Sequence, residues 1–286
     1  MSNETTRARP TTGFDEDELR QWLAATWDPD LTVGAWWELL ALAAWAVPTW
    51  PTEWFGRNLS VVDARRIAAI IAEAGALGAP GGLGLLLAGP TIIRHGSASQ
   101  KVRYLRDIVT GQRAWCQLFS EPGAGSDLAG LRCTAKRDGE EWIVNGQKVW
   151  TSGGQFSDLG MLIARTAPEL PKHRGITWFA FDMIQPGVEV RPLREMTGRA
   201  LFNEVFITDA RVEDAAVIGD VNNGWTVANS TLAFERSGLG GGDNGATSSA
   251  LPGSRAGDLD RRAGDFIRVR TDGGGDPVGN VGAAHR

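Results

Sequence analysis

Cysteine is nearly absent. The two that occur, Cys116 and Cys133, have no paired spacing, which excludes a disulfide framework and fits a reducing, cytoplasmic setting. Histidine is equally thin: His95, His173 and His285 are scattered, so no local zinc-ligand pattern exists and no metal site is expected. Positive charge is not in excess either. With 29 Lys and Arg against 34 Asp and Glu, the chain lacks the basic face that nucleic acid requires. The N-terminus has no apolar signal core. One long uncharged run exists, from Ala74 to Ile93, of membrane-spanning length. Six glycines with Pro80 and Pro90 break it as a helix, so it reads as a bent, buried segment and no membrane partner is expected.

Several nucleotide and hydrolase signatures are missing as well. LFSEPGAGSD, residues 118–127, begins like a dinucleotide fingerprint, but its third glycine position holds Leu128 and strands follow it, not a helix. There is no Gly-x-x-x-x-Gly-Lys phosphate loop and no Gly-x-Ser-x-Gly elbow. Taken alone, the loop is either a plain turn or a close-approach surface with hydroxyls at Ser120 and Ser126.

What is present falls into three zones. From 14 to 112 the pattern is helical. Leu19, Trp22, Leu23 and Thr26 form one face, Ser60 is an N-cap with Asp63 three residues on, and Ser97 with Gln100 makes a capping box. Val102, Leu105, Ile108 and Val109 are the apolar stripe of that last helix, and Gly111 its stop. Seven of the twelve tryptophans precede residue 60, either packing the helical domain or lining a contact surface. From 113 to 213 the period changes to two, with turns expected at Asp138-Gly139 and Asn145-Gly146. Strands without helical crossovers imply an antiparallel sheet or barrel, not a doubly wound parallel sheet. Helix returns at NNGWTVANSTLAFERSG. Beyond Gly238 a Gly/Ser linker, a short helix at DLDRRAGDFIR and a disordered tail are expected. The domains are therefore 1–112, helical; 113–219, β-barrel; and 220–286, an incomplete helical segment, together an α+β multidomain chain.

LFSEPGAGSD followed by NGQKVWTSGG at 145–154 and ERSG at 235–238, with HGSASQKVRYLRDIVTGQ ahead of them, resembles the acyl-CoA dehydrogenase family over residues 15–240. The resemblance implies FAD bound between a β-domain and helical domains, and oxidation of an acyl-CoA to its trans-2-enoyl-CoA. It implies flavin contacts at Gln117, Phe119, Ser120, Gly125, Ser126, Trp150, Thr151 and Ser152, with Ser126 and Arg236 toward the CoA substrate. Ser120 stands where the family usually has Thr, and Gln117 where it usually has an aromatic residue. Trp150 packs on the flavin ring or is a core strand residue. Glu235 shares a helical stripe with Trp225, Ala228 and Leu232, so a carboxylate there is desolvated and suited to act as a base. It is the catalytic base or the partner of Arg194 or Arg199, while Arg236 has an internal salt bridge as its alternative. The Gly75–Gly89 stretch borders the acyl pocket in this reading. An electron-transfer flavoprotein or similar acceptor and a homo- or hetero-oligomer are implied. Most of the family's C-terminal helical bundle has no match, so a C-terminally truncated member is expected. A non-catalytic partner subunit or relic, or a flavin oxidase or monooxygenase of the same fold, are the alternatives.

Overall fold

Side-chain caps set where the helices begin. In the computed structural model, which describes residues 13–194, 202–239 and 248–267, Asp15 caps α1 (Glu16–Thr26) and Thr32 caps α2 (Val33–Leu42). Capping boxes at Ser60/Asp63 and Ser97/Gln100 open α3 (Val61–Glu73) and α5 (Ala98–Val109). Between them the uncharged run bends, as its glycines require: a π-helical turn at Gly84–Ala88 leads into α4 (Gly89–His95). Gly111, at φ +67°, ends the helical zone, and a Cβ there would lie 2.4 Å from the Trp37 ring.

Trp36 and Trp37 are fully buried, and their indole N–H groups donate to Leu77 O (2.7 Å) and Gly78 O (2.9 Å). The tryptophans therefore pack the helical domain and fix the start of the glycine-rich stretch. Val102 departs from its expected stripe. It is 71% exposed, because only Tyr104, Leu105, Ile108 and Val109, in the later turns, are covered.

Seven strands follow: β1 (Trp115–Leu118), β2 (Thr134–Asp138), β3 (Glu141–Ser152), β4 (Leu159–Arg165), β5 (Ile176–Asp182), β6 (Val188–Leu193) and β7 (Phe202–Glu213). They form one sheet in the order β1-β4-β2-β3-β7-β6, with β5 added on β4. The purely antiparallel expectation is corrected here. β1 runs parallel to β4, and the long crossover that a parallel pair needs is supplied by the β2–β3 hairpin in place of a helix. Val149 N donates to Ser120 O (2.9 Å), curling the end of β3 back onto the chain that leaves β1.

The expected turn at Asn145-Gly146 is also corrected. Both residues lie inside β3, opposite a bulge in β7 where Asp209 takes φ +50°. Asn145 and Asp209 exchange two hydrogen bonds across it (2.9 and 3.0 Å), and a Cβ at Gly146 would lie 2.7 Å from Cys133. Glycine serves close approach there, not reversal. The hairpin turn is at Gly139, φ +66°.

After β7 comes α6 (Gly224–Leu239). Residues 248–267 do not form the short helix expected for their second half. They make an irregular strap with one 3-10 turn at Ala263–Phe266. The strap hydrogen-bonds to the segment entering α2, Val33 N to Arg261 O (2.8 Å) and Gly34 N to Leu259 O (2.9 Å). It also reaches the sheet, where Ser254 donates to the Asp158 carboxylate. The remaining linker residues 240–247 and the tail 268–286 lie outside the described residues.

Candidate functional site

The loop after β1 is held by a buried ion pair. Lys148, on β3, has no exposed side-chain surface, and its Nζ donates to Glu121 Oε1 (2.8 Å), Ile163 O (2.9 Å) and Phe119 O (3.2 Å). Glu121 in turn accepts from the amides of Arg132 (2.6 Å) and Cys133 (3.0 Å). Burial alone pushes the Glu121 carboxyl up, but the Lys148 charge and hydrogen bond and the two amides outweigh it and hold the group below the usual carboxylate range. One lysine on β3 thus ties β4 to the loop that follows β1.

Glu121 and Ala124 close the Pro122-Gly123 turn on each other through both backbone bonds. Among the described residues the amides of Gly123, Gly125, Ser126 and Asp127 have no protein acceptor, and a Cβ at Gly123 or Gly125 would meet nothing within 4 Å. Asp127 pairs with Lys172 (2.9 Å), fixing the far end of the loop.

Beside this loop β3 carries its own bulge. Lys148 pairs with Val205 and Thr151 with Asn203, so Val149 and Trp150 together oppose the single residue Glu204. Trp150 is the bulged residue, at φ +58°, a region that costs a non-glycine residue about 1–3 kcal/mol. The extra residue breaks the in-out alternation: Val149 and Thr151 are both buried, while Trp150 is turned out and 63% exposed. This rules out the core-tryptophan alternative. Its ring meets only the edge of Phe202 (centroids 5.8 Å apart) among the described aromatics.

Glu235 is placed by α6. Gly224 seats the helix start directly on the backbone of Thr177 and Trp178 in β5, where a Cβ would come within 2.5 Å of Trp178 N. Two turns on, Thr231 meets Thr91 of α4 (3.0 Å, both buried), and Ser230 meets His95 Nε2 (2.8 Å). Glu235 lies one turn beyond Thr231 on the same face. Its Oε2 accepts from Gln117 Nε2 of β1 at 3.3 Å. The carboxylate is half-buried, at the rim of the apolar stripe. Among the described residues neither Glu235 nor Arg194 has an ion pair, and Arg199 lies outside them.

The structure therefore brings Ser120, Trp150 and the Gly123–Asp127 loop to one region through the Ser120–Val149 bond, and joins Gln117 to Glu235 on β1 just before it. Ser120 is half-buried, Ser126 and Ser152 are exposed, and none of the three hydroxyls has a protein partner among the described residues. Two expected contacts are turned inward: Phe119 and Thr151 are buried, so each offers its surroundings backbone more than side chain. Arg236 is exposed and has no ion-pair partner among the described residues. The Lys148–Glu121 pair went unread in sequence, although Lys148 shares strand parity with the inward-facing Trp142 and Val144. The α4–α6 seam of Thr91, Thr231, His95 and Ser230 left no sequence signal, being formed by residues far apart in the chain.

Residues 9–112 match the acyl-CoA dehydrogenase N-terminal domain and residues 116–210 the acyl-CoA dehydrogenase middle domain. The chain is 43% identical over 202 residues to acyl-CoA dehydrogenase IpdE1 of Mycobacterium tuberculosis, covering 71% of this chain and 52% of that protein. Among solved structures, the ChsE4-ChsE5 complex of Mycobacterium tuberculosis aligns with a TM-score of 0.62 at 32% identity, over 79% of this chain and 61% of that one. The Tcur3481-Tcur3483 steroid ACAD aligns with a TM-score of 0.61 at 29% identity, over 78% and 61%. The chain thus spans about half the length of the curated relative and three-fifths of the solved chains. With its helical N-terminal domain, curled middle sheet and following helix, the chain belongs to the acyl-CoA dehydrogenase family.

Proposed function

We propose that this chain acts in the FAD-dependent α,β-dehydrogenation of an acyl-CoA thioester to the trans-2-enoyl-CoA. The observation that carries the reading is the meeting of LFSEPGAGSD and KVWTS, with an outward tryptophan and unpartnered serines at the junction. These residues suit a flavin: Trp150 offers a ring face, Ser120 and Ser152 offer hydroxyls for a ring edge, and the free amides of 123–127 suit an anionic tail. When bound, FAD supplies the acceptor for the β-hydrogen as hydride.

The rest of the chemistry falls to the chain. Glu235 removes the α-proton at its carboxylate, and Gln117 aims that carboxylate by donating to one oxygen, leaving the other for the proton. The Thr91–Thr231 contact fixes the height of Glu235 along α6. Ser126 and Arg236, both exposed, meet the CoA arm, Arg236 as a phosphate partner. A steroid-derived thioester of the kind named for one structural neighbour is the substrate we favour. The likeness to a two-component complex supports assembly with a related subunit.

Anaerobic addition of acyl-CoA to the FAD-loaded protein tests the reading. Bleaching of the flavin absorbance, slowed at least 100-fold in Glu235→Gln, is expected for loss of a general base. Equal bleaching rates in the two proteins would remove Glu235 from the mechanism.

A further inference from the structure

Ser120 is held by its neighbours on both sides. The Phe119 carbonyl, which shares a peptide group with the Ser120 amide, accepts from Lys148 Nζ (3.2 Å). The Ser120 carbonyl accepts from Val149 N (2.9 Å), and the next side chain, Glu121, is bound to Lys148 Nζ again (2.8 Å). Residues 119–121 are therefore fixed to Lys148 and Val149, which directly precede Trp150 in β3. The Lys148 side chain has no exposed surface, so no ligand reaches its ammonium. Whatever it offers a ligand passes through the Phe119–Ser120 peptide.

That peptide is trans, so its carbonyl and N–H point in opposite directions. With the oxygen on Lys148, the Ser120 N–H is aimed away from the buried pair. It has no protein acceptor among the described residues, and Ser120 is half-buried. A cation on the carbonyl draws electron density out of the amide and strengthens its N–H as a donor, by about 10–30% for linked hydrogen bonds. The Glu121 charge is shared with other donors, the amides of Arg132 (2.6 Å) and Cys133 (3.0 Å). We propose that Lys148 is a positioning residue that raises the flavin's midpoint potential, by fixing and polarising the Ser120 N–H against the ring edge that gains negative charge when hydride is taken up. The inference rests on the flavin reading of the proposed function. A donor strengthened at that edge favours the reduced form over the oxidised one.

Midpoint potentials of the FAD-loaded protein, measured against a reference dye without acyl-CoA, test this. Lys148→Met/Glu121→Gln removes both charges of the pair, so its net charge is unchanged and the bond to Phe119 O is lost. Reduced flavin should then lose about 2–4-fold more affinity than oxidised flavin, which lowers the two-electron midpoint by about 10–20 mV. The same fall is expected in a Ser120→Ala background, because the route is the amide and not the hydroxyl. Should the double variant fail to fold, Glu121→Gln alone, which keeps Lys148 and removes the opposing charge, should raise the midpoint. A lysine that only braces the fold would change stability and leave the midpoint where it is. A wild-type midpoint in the double variant, a fall that vanishes in Ser120→Ala, or a midpoint not raised in Glu121→Gln would each overturn the inference while leaving bleaching by acyl-CoA in place. A lowered midpoint in a protein whose wild type acyl-CoA does not bleach would uphold the role of Lys148 and remove the acyl-CoA reading instead. A wild-type chain that binds no FAD would overturn both.

Discussion

Replacing Lys148 by Met removes the cation from the best-buried ion pair in the described chain. Glu121 would then keep its carboxylate with 6% of its side chain exposed and only the amides of Arg132 and Cys133 as donors. Breaking a buried pair by deleting one partner costs about 3–5 kcal/mol. The two remaining amide bonds place this case toward the lower end, at about 3 kcal/mol. Urea unfolding at pH 7 measures it. The double variant Lys148→Met/Glu121→Gln, which removes the stranded charge and keeps an acceptor oxygen for one of the two amides, should recover part of the loss. The pH dependence has a definite sign. Glu121 is held below its ordinary value of 4.5, so its contribution is present above pH 4.5 and is lost as pH falls through the lowered folded value. In Lys148→Met the carboxyl instead titrates upward, and the deficit should shrink as the pH is taken below 4.5. A Lys148→Met protein within about 1 kcal/mol of wild type at pH 7 would refute the reasoning.

Burial pushes the Cys116 thiol up to about 12 and raises Cys133 as well, so neither should react with a disulfide reagent at pH 8 until the chain is unfolded. His95 is held below its ordinary value of 6.5, first by burial and then by Arg94, which favours the neutral ring. Stability should therefore be full above pH 6.5 and fall as the pH drops below it, and His95→Asn should flatten that part of a thermal-melt profile. Thr91→Val leaves Thr231 still bonded to Val227 O (3.1 Å), so it should cost only about 1 kcal/mol by urea unfolding while slowing substrate-driven bleaching.

Local chemistry was readable where a residue acts on its own neighbours. The Ser60 cap, the Ser97/Gln100 capping box, the Gly111 stop and the Gly139 turn occur where the sequence places them, because each depends on a few adjacent residues. Asn145-Gly146 misled for the same reason. The dipeptide suits a tight turn, but the partner that decides its conformation is Asp209, in another strand. The parallel β1–β4 pairing was equally hidden, since nothing in Trp115–Leu118 specifies a mate more than forty positions away. The candidate site was legible as motifs but not as geometry. Sequence order brings out Ser120 and Trp150, whereas the bulge that turns Trp150 outward depends on the count of residues in β7. Gln117 stood out as a departure from the family pattern, and only the placement of α6 reveals Glu235 as its partner.

In the proposed function the two motif segments form one flavin cradle with Trp150 as its platform. Titration of FAD into the protein, followed by quenching of flavin fluorescence, tests it most directly in wild type and Trp150→Gly. Glycine relieves the left-handed backbone, so the variant should be as stable as wild type or up to about 1 kcal/mol more stable. Its FAD affinity should nonetheless fall at least 10-fold, on the scale of a lost aromatic stacking contact. A stable Trp150→Gly protein that binds FAD as tightly as wild type would contradict the claim.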